Sequence, residues 1–181
     1  RQQDLSGADL SGFLRREARW YTRRGAPALG LLALDALEAA VGRDDLTAAD
    51  HVLITSCSTD VGAEIGRLEA EVAAREPGGD RRDLQMVLLG CYLNAGDTDR
   101  ATALAEAMCA ENAAWRPAEQ ESATTGLSAN AVYNVAVYHY QHGSYEQARV
   151  LLERVIELAP GTGWAEYART YLSRIPNAAK R

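Results

Sequence analysis

The chain has 181 residues, of which 47% are hydrophobic and 24% charged, and its formal net charge is −6 with a pI near 5.1. This length allows one hydrophobic core or one short array of repeats, and the composition is that of a folded protein. An acidic chain repels phosphate backbones, which excludes nucleic acid as the expected partner. Alanine and leucine are abundant and β-branched residues are sparse, so helices are predicted.

The N-terminal part, residues 1–79, is predicted to form degenerate helical hairpins. Segments rich in glycine, proline and aspartate separate its apolar stretches, as expected between helices. The predicted helices are Asp9–Arg24, Pro27–Val41, Thr47–Cys57 and Asp60–Arg75. Residues 51–57 contain several β-branched side chains, which leaves a short strand there as the alternative.

One segment departs from the acidic composition. Five arginines lie between Arg15 and Arg24. They form either a local patch for an anionic partner or a solvated helix face. The second interpretation is favoured, because a run of like charges on a helix usually faces water.

Residues 80–113 are predicted to form a helical hairpin. The turn falls at Gly96, and Ala101, five residues later, faces the first helix. Residues 129–160 repeat this pattern more clearly, with a turn at Gly143 and an alanine at Ala148. A glycine there can end the first helix in the left-handed conformation, and the serine that follows can cap the second helix.

The segment 129–160 resembles a unit of the tetratricopeptide-repeat (TPR) family, and 80–113 resembles a second, TPR-like unit. That family has a W-x2-L-G-x2-Y first helix, a later alanine and aromatic residue, and a closing proline over 34 residues. The residues in the matching slots are Val132, Val135, Ala136, His139, Gly143, Tyr145, Ala148, Leu152 and Pro160. The resemblance implies an all-α fold, an α–α helical-hairpin solenoid of about four hairpins plus a C-terminal capping helix.

Two further segments complete the predicted organisation of one continuous domain. Residues 114–128 are interpreted as an inter-repeat insertion, a helix extension followed by a loop, which is either tolerated surface or part of a binding face; tolerated surface is favoured. Residues 161–181 are the capping helix and tail. Trp164, Tyr167 and Tyr171 lie on one face of that helix and are expected to cover the last hairpin.

In the TPR family the first helices line a concave groove that binds partners. The resemblance implies that the groove positions here are Met86, Gly90, Leu93, Asn94, Asn130, Tyr133, Val137, Tyr140 and Gln141. The family's carboxylate clamp for chaperone C-termini needs Lys and Asn at four of these positions, and this chain has Met, Gly, Tyr and Val there. An apolar, aromatic groove suits an amphipathic helix or another subunit. In the alternative, the chain's own N-terminal helices or a longer superhelix fill the groove.

The cysteines and the chain start bear on the compartment. Cys57, Cys91 and Cys109 have no CxxC spacing. On the two helices of the predicted hairpin, Cys91 and Cys109 are offset along the helix axis by on the order of 10 Å. This is beyond the reach of a disulfide, so free thiols are expected. No signal peptide or membrane-length apolar run is visible, and Arg1 at the start indicates processing or trimming. Cytoplasm and periplasm both stay open.

No catalytic site or cofactor is predicted. His139 and His142 have a spacing that could bind a metal from one helix face, but they lack a third ligand, so packing and turn roles are favoured. His51 and Cys57 face different directions on their helix. The predicted function is a non-catalytic scaffold that binds another protein or peptide, in a bacterial envelope or a multi-subunit complex. The alternative is a structural subunit that self-associates.

Overall fold

The structure is a computed structural model that describes residues 7–114 and 121–176. Within these ranges the chain forms nine α-helices, a short 3-10 helix at Arg43–Asp45, and no strand. The predicted all-α class is therefore confirmed. None of the helices in the described ranges has both the length and the apolar character needed to cross a membrane. Two compact units can be distinguished, Arg1–Cys91 and Tyr92–Arg181, and the division falls inside the predicted 80–113 hairpin.

The helices of the first unit begin and end close to the predicted positions. They are α1 (Gly7–Arg23), α2 (Pro27–Val41), α3 (Ala48–Cys57), α4 (Val61–Ala74) and α5 (Gly79–Asn94), the last of which extends past the division between the units. Helix α1 packs on α2, and both contact α3. The strand alternative is wrong, because residues 51–57 are helical. Pro27 begins α2, where its missing N–H costs nothing.

The second unit contains four further helices. They are α6 (Thr98–Ala114), α7 (Glu121–Gln141), α8 (Tyr145–Leu158) and α9 (Gly163–Arg174). Helix α6 packs on α7, α7 on α8 and α8 on α9, and α9 also contacts α7. Residues 121–128 of the predicted insertion belong to α7 and lengthen it; residues 115–120 of the insertion lie outside the described ranges.

Three turns share one hydrogen-bond pattern. At Gly25, Gly96 and Gly143 the glycine N–H donates to the carbonyl three residues back, and the next N–H donates to the carbonyl five residues back. This is the Schellman motif, which closes a helix. The three glycines have φ of 71°, 75° and 78°, a region that other residues rarely adopt. Ser144 stands at the predicted N-cap of α8, but its side chain makes no capping hydrogen bond.

Small residues flank these turns at constant distances. The position five residues after the turn glycine is held, in chain order, by Gly30, Ala101 and Ala148, all of them buried. Seven residues before the first and third turns stand Ala18 and Ala136, both fully buried. A Cβ added to Gly30 would lie 3.0 Å from Cys57 Sγ and 3.1 Å from Thr22 Oγ1, so the packing leaves no room for a methyl group without a shift.

A buried ion pair joins α1 to α3. The Asp50 side chain is fully buried and accepts hydrogen bonds of 2.9 to 3.1 Å from the Arg15 guanidinium. It also accepts from the backbone N–H and the hydroxyl of Thr47, which caps α3 in a capping box. Burial would raise the pKa of Asp50, but the hydrogen bonds from Arg15 and Thr47 outweigh burial and hold it below the ordinary value.

His51, the neighbour of Asp50, is buried in a neutral form. Its Nε2 lies 3.2 Å from Glu71 Oε2, but the two atoms are not aligned for a hydrogen bond. The other oxygen of Glu71 accepts from Arg43. Burial lowers the pKa of His51; Glu71 and Asp50 oppose this shift, while Arg43 and Arg75 reinforce it. Protonating His51 therefore costs free energy in the folded protein.

The three cysteines are free thiols, as expected. Cys57 and Cys91 are buried, and Cys109 is half-buried. Burial raises the pKa of Cys91 and of Cys109, which keeps both thiols protonated and unreactive at neutral pH.

Replacing Ala148 with leucine tests the close packing of α7 and α8. Three added carbon atoms should overpack the hairpin and lower the free energy of unfolding by about 1–3 kcal/mol, as measured by chemical denaturation. Val150→Leu is the matched control, because Val150 is 65% exposed on the same helix. Equal stability of both variants, with helicity intact, would contradict the packing described.

Replacing His51 with glutamine tests the cost of protonating the buried imidazole. The folded-state pKa is depressed below the ordinary 6.5, so the unfolded chain binds the proton first as the pH falls. Wild-type stability should therefore be full above pH 6.5 and fall below it, with a slope of at most about 1.4 kcal/mol per pH unit. The variant should lack this loss of stability below pH 6.5 in denaturation curves measured from pH 8 to pH 5. Parallel wild-type and variant profiles would show that His51 does not titrate as described.

Candidate functional site

Six aromatic side chains from three helices of the second unit form one aromatic cluster. Its members are Tyr133 and Tyr140 of α7, Tyr145 of α8, and Trp164, Tyr167 and Tyr171 of α9. The three positions on α9 follow the spacing i, i+3, i+7, which places them on one helix face. The cluster is where α9 docks on the preceding hairpin.

Tyr171 lies at the centre of the aromatic cluster. Its ring centroid is 5.9 Å from that of Tyr133 and 5.0 Å from that of Tyr140, with the planes at 82° and 89°. This edge-to-face arrangement is favoured by the ring quadrupoles. Tyr133 lies 5.4 Å from Trp164, and Tyr140 lies 5.6 Å from Tyr145. Ring contacts thus run without a break from α8 across α7 to the start of α9.

The aromatic cluster has a covered interior and two exposed members. Four of its side chains are half-buried, whereas Tyr145 is 38% exposed and Tyr167 is 58% exposed. Burial raises the pKa of Tyr133, and the neighbouring Tyr171 and Tyr167 raise it further, so the Tyr133 hydroxyl stays protonated at neutral pH. The rings at Tyr145 and Tyr167 remain accessible to a partner.

Helix α9 covers part of the stripe that was predicted to face a partner. Tyr133 and Tyr140 contact rings of α9, and Val137 between them is half-buried. Tyr145 was predicted only as a TPR slot and Tyr167 only as part of the covering face, so the two most exposed rings of the cluster were not among the predicted groove positions. The i, i+3, i+7 spacing of the aromatic residues along α9 is the sequence signal from which the exposed Tyr167 could have been predicted.

The amide side chains predicted to border the stripe differ in their surroundings. Asn130 Oδ1 accepts a hydrogen bond of 3.2 Å from Asn134 Nδ2, one turn further along α7, and Asn130 is half-buried. Gln141 is exposed at the last position of α7. A partner lying along α7 would therefore meet an accessible amide at Gln141.

The remaining predicted groove positions lie on α5. Met86 and Gly90 are half-buried in the first unit, while Leu93 is half-buried and Asn94 exposed in the second. Their role in partner binding stays a prediction.

An open cleft of about 880 Å³ lies between α6 and α8. Its lining includes Asp99 of α6, His139 of α7, and Ser144 and Val150 at α8. Burial lowers the pKa of His139, His142 lowers it further, and Asp99 opposes the shift. Among the described side chains, no side-chain hydrogen bond joins His139 to Ser144 or Asp99; the Ser144 backbone N–H donates to the His139 carbonyl oxygen at 2.9 Å.

His139 of α7 and His142 of the turn that follows both contact the Tyr138 ring. The His142 ring stacks on that of Tyr138 at a centroid distance of 4.0 Å, and its Nδ1 lies 2.8 Å from the Tyr138 carbonyl oxygen. The His139 ring lies edge to face against Tyr138 at 6.4 Å, and His139 also lines the cleft. In the part of the chain that the structure covers, no three His, Cys, Asp or Glu side chains converge as metal ligands.

Comparisons with models of protein families, with curated proteins and with solved structures found no match. A functional assignment therefore depends on the aromatic cluster and its surroundings. The half-buried rings fix the docking of α9, and the exposed rings offer apolar area to another molecule.

Replacing Tyr171 with alanine tests the docking of α9. The change removes two edge-to-face ring contacts and should lower the free energy of unfolding by about 1–3 kcal/mol, as measured by thermal and chemical denaturation. Tyr171→Phe is the matched control, because it keeps both ring contacts and should stay close to wild type. If the alanine variant is as stable as the phenylalanine variant, the rings do not hold α9.

Proposed function

We propose that the chain is a non-catalytic, TPR-like protein-binding module, and that the exposed side of the aromatic cluster contacts the partner. The observation that carries the proposal is the pair of accessible rings, Tyr145 and Tyr167, held by a half-buried aromatic interior. Tyrosine and tryptophan are enriched among the residues that dominate binding energy at interfaces. Rings already fixed by packing lose little side-chain entropy on binding.

The chemistry of this surface indicates the kind of partner. The rings offer apolar area with hydroxyl groups at their edges, and Gln141 adds an exposed amide at the end of α7. An amphipathic helix or a flat subunit surface could bury its apolar side chains on the rings and hydrogen-bond to their edges.

The repeated turns support the resemblance to the TPR family. The turns at Gly25, Gly96 and Gly143 have one hydrogen-bond pattern and are each followed by a buried small residue. Two of them come from segments in which the repeat was predicted, and the third comes from α1 and α2. A recurring turn with a small residue at a fixed distance is expected of stacked helical hairpins.

Self-association is the second candidate function. Helix α2 is apolar around most of its circumference, and Leu29 and Leu32 are 47% and 63% exposed. A helix of this kind is usually buried against another element. Another copy of the chain would cover these leucines.

The test of the first candidate is affinity purification with mass spectrometry, using wild type and the Tyr145→Ala/Tyr167→Ala double variant. Both side chains are exposed, so the fold should survive and the interacting proteins should be recovered about tenfold less or worse. Val150→Ala is the matched control and should keep the interactors.

Two outcomes would count against the proposal. Interactors retained by the folded double variant would place the binding surface elsewhere. A mass that rises with concentration in sedimentation velocity, together with no heterologous interactor, would favour self-association.

A further inference from the structure

The outward face of α1 carries aromatic and cationic side chains in alternation. Phe13 is 42% exposed and Trp20 is 50% exposed. Arg16, Arg19 and Arg23 are exposed beside them. Phe13, Arg16, Trp20 and Arg23 follow the spacing i, i+3, i+7, i+10, so they form a row of about 15 Å along one side of the helix.

The charges of this face are available to another molecule. Arg15, the one arginine of the segment that turns inward, is paired with Asp50. Arg16, Arg19, Arg23 and Arg24 are exposed, and Glu17 is the one acidic side chain among them. The face is therefore strongly positive in a chain whose net charge is −6. Screening limits charge interactions to about 8 Å at physiological salt, so this local charge decides what the face attracts.

The two kinds of side chain are held together. The Arg24 guanidinium lies 4.5 Å from the centre of the Trp20 ring, in cation–π geometry. Trp20 and Tyr21 meet edge to face at 5.0 Å. A shallow groove of about 260 Å³ runs among these rings and Arg16. The indole is thus fixed on the surface with a guanidinium against it.

We propose that this outer face of α1 binds the headgroup region of a bilayer that contains anionic phospholipids. Trp20 and Phe13 would enter the interfacial layer, where amphipathic rings are stable. The arginines beside them would pair with lipid phosphates and carboxylates, each strengthening the attraction to an anionic surface. The inner side of α1 stays folded against α2 and α3, so binding needs no unfolding.

The shape of the face favours a bilayer over an acidic peptide. The row lies on the outside of a single helix and is convex, and its groove is too small to enclose a chain segment. A helix lying flat brings all four side chains of the row to a plane at the same time. An acidic peptide would find charge there but little to surround its side chains.

The test is co-sedimentation of the full chain with phosphatidylcholine vesicles and with vesicles in which part of that lipid is replaced by phosphatidylserine. The chain should bind the anionic vesicles, and its tryptophan emission should shift to the blue as Trp20 enters the interface. Arg16→Gln/Arg19→Gln/Arg23→Gln should lower the partition coefficient about a hundredfold. In Trp20→Phe the blue shift should disappear.

The matched control removes three arginines of the second unit that are not buried. Arg154→Gln/Arg169→Gln/Arg174→Gln has the same net charge as the α1 variant and should bind as wild type does. Circular dichroism and melting temperature check that each variant folds. Equal binding to both kinds of vesicle, or equal binding by the two triple variants, would overturn the proposal. Binding of a poly-glutamate peptide through the α1 arginines, without binding to anionic vesicles, would also overturn it in favour of an acidic protein partner.

Discussion

In the turns at Gly25 and Gly143 the chain reverses through a left-handed glycine, and five residues later a side chain of one carbon or none faces the preceding helix. Both features serve one requirement, which is that two helices joined by a short turn pack closely along their length. The position seven residues before each glycine is an alanine with no exposed surface. Dispersion contacts between backbones at this spacing stabilise the hairpins, and larger side chains there would separate them. The docking of α9 on α7 and α8 depends on this packing.

The contacts that join helices differ between the two units. In the first unit, carboxylates with little exposure sit beside arginines, as Asp50 does beside Arg15 and Glu71 beside Arg43. Removing one partner of such a pair leaves a charge with little access to water, which is costly. In the second unit the helices meet through rings instead. The hydrogen bonds to Asp50 lower its pKa and so make stability depend on pH in the acid range, whereas the ring contacts of the second unit depend on shape.

The sequence predicted the helices and the last hairpin because both leave local signals. Gly143 and Ala148 follow a spacing that can be counted, and Pro27 marks the start of α2. The matching turn at Gly25 was not assigned to a repeat, because its small residue is Gly30 rather than alanine. The aromatic stripe on α7 and the covering face of α9 were each found by period, but the contact between the two was not predicted, because the spacing within one helix does not specify which stripe of another helix it meets. The Arg15–Asp50 pair joins residues 35 positions apart and has no periodic signal.

The packing at Gly30 also limits the substitutions that the chain can accept at this position. A methyl group there would press on the Cys57 sulfur and the Thr22 hydroxyl, which are themselves hydrogen-bonded at 3.1 Å. Gly30 and Cys57 therefore form a coupled pair, in which an alanine at the first position requires the sulfur atom of the second to move. The glycine in the middle of α2 leaves space for the sulfur atom of another helix, at the cost of the flexibility by which glycine weakens helices.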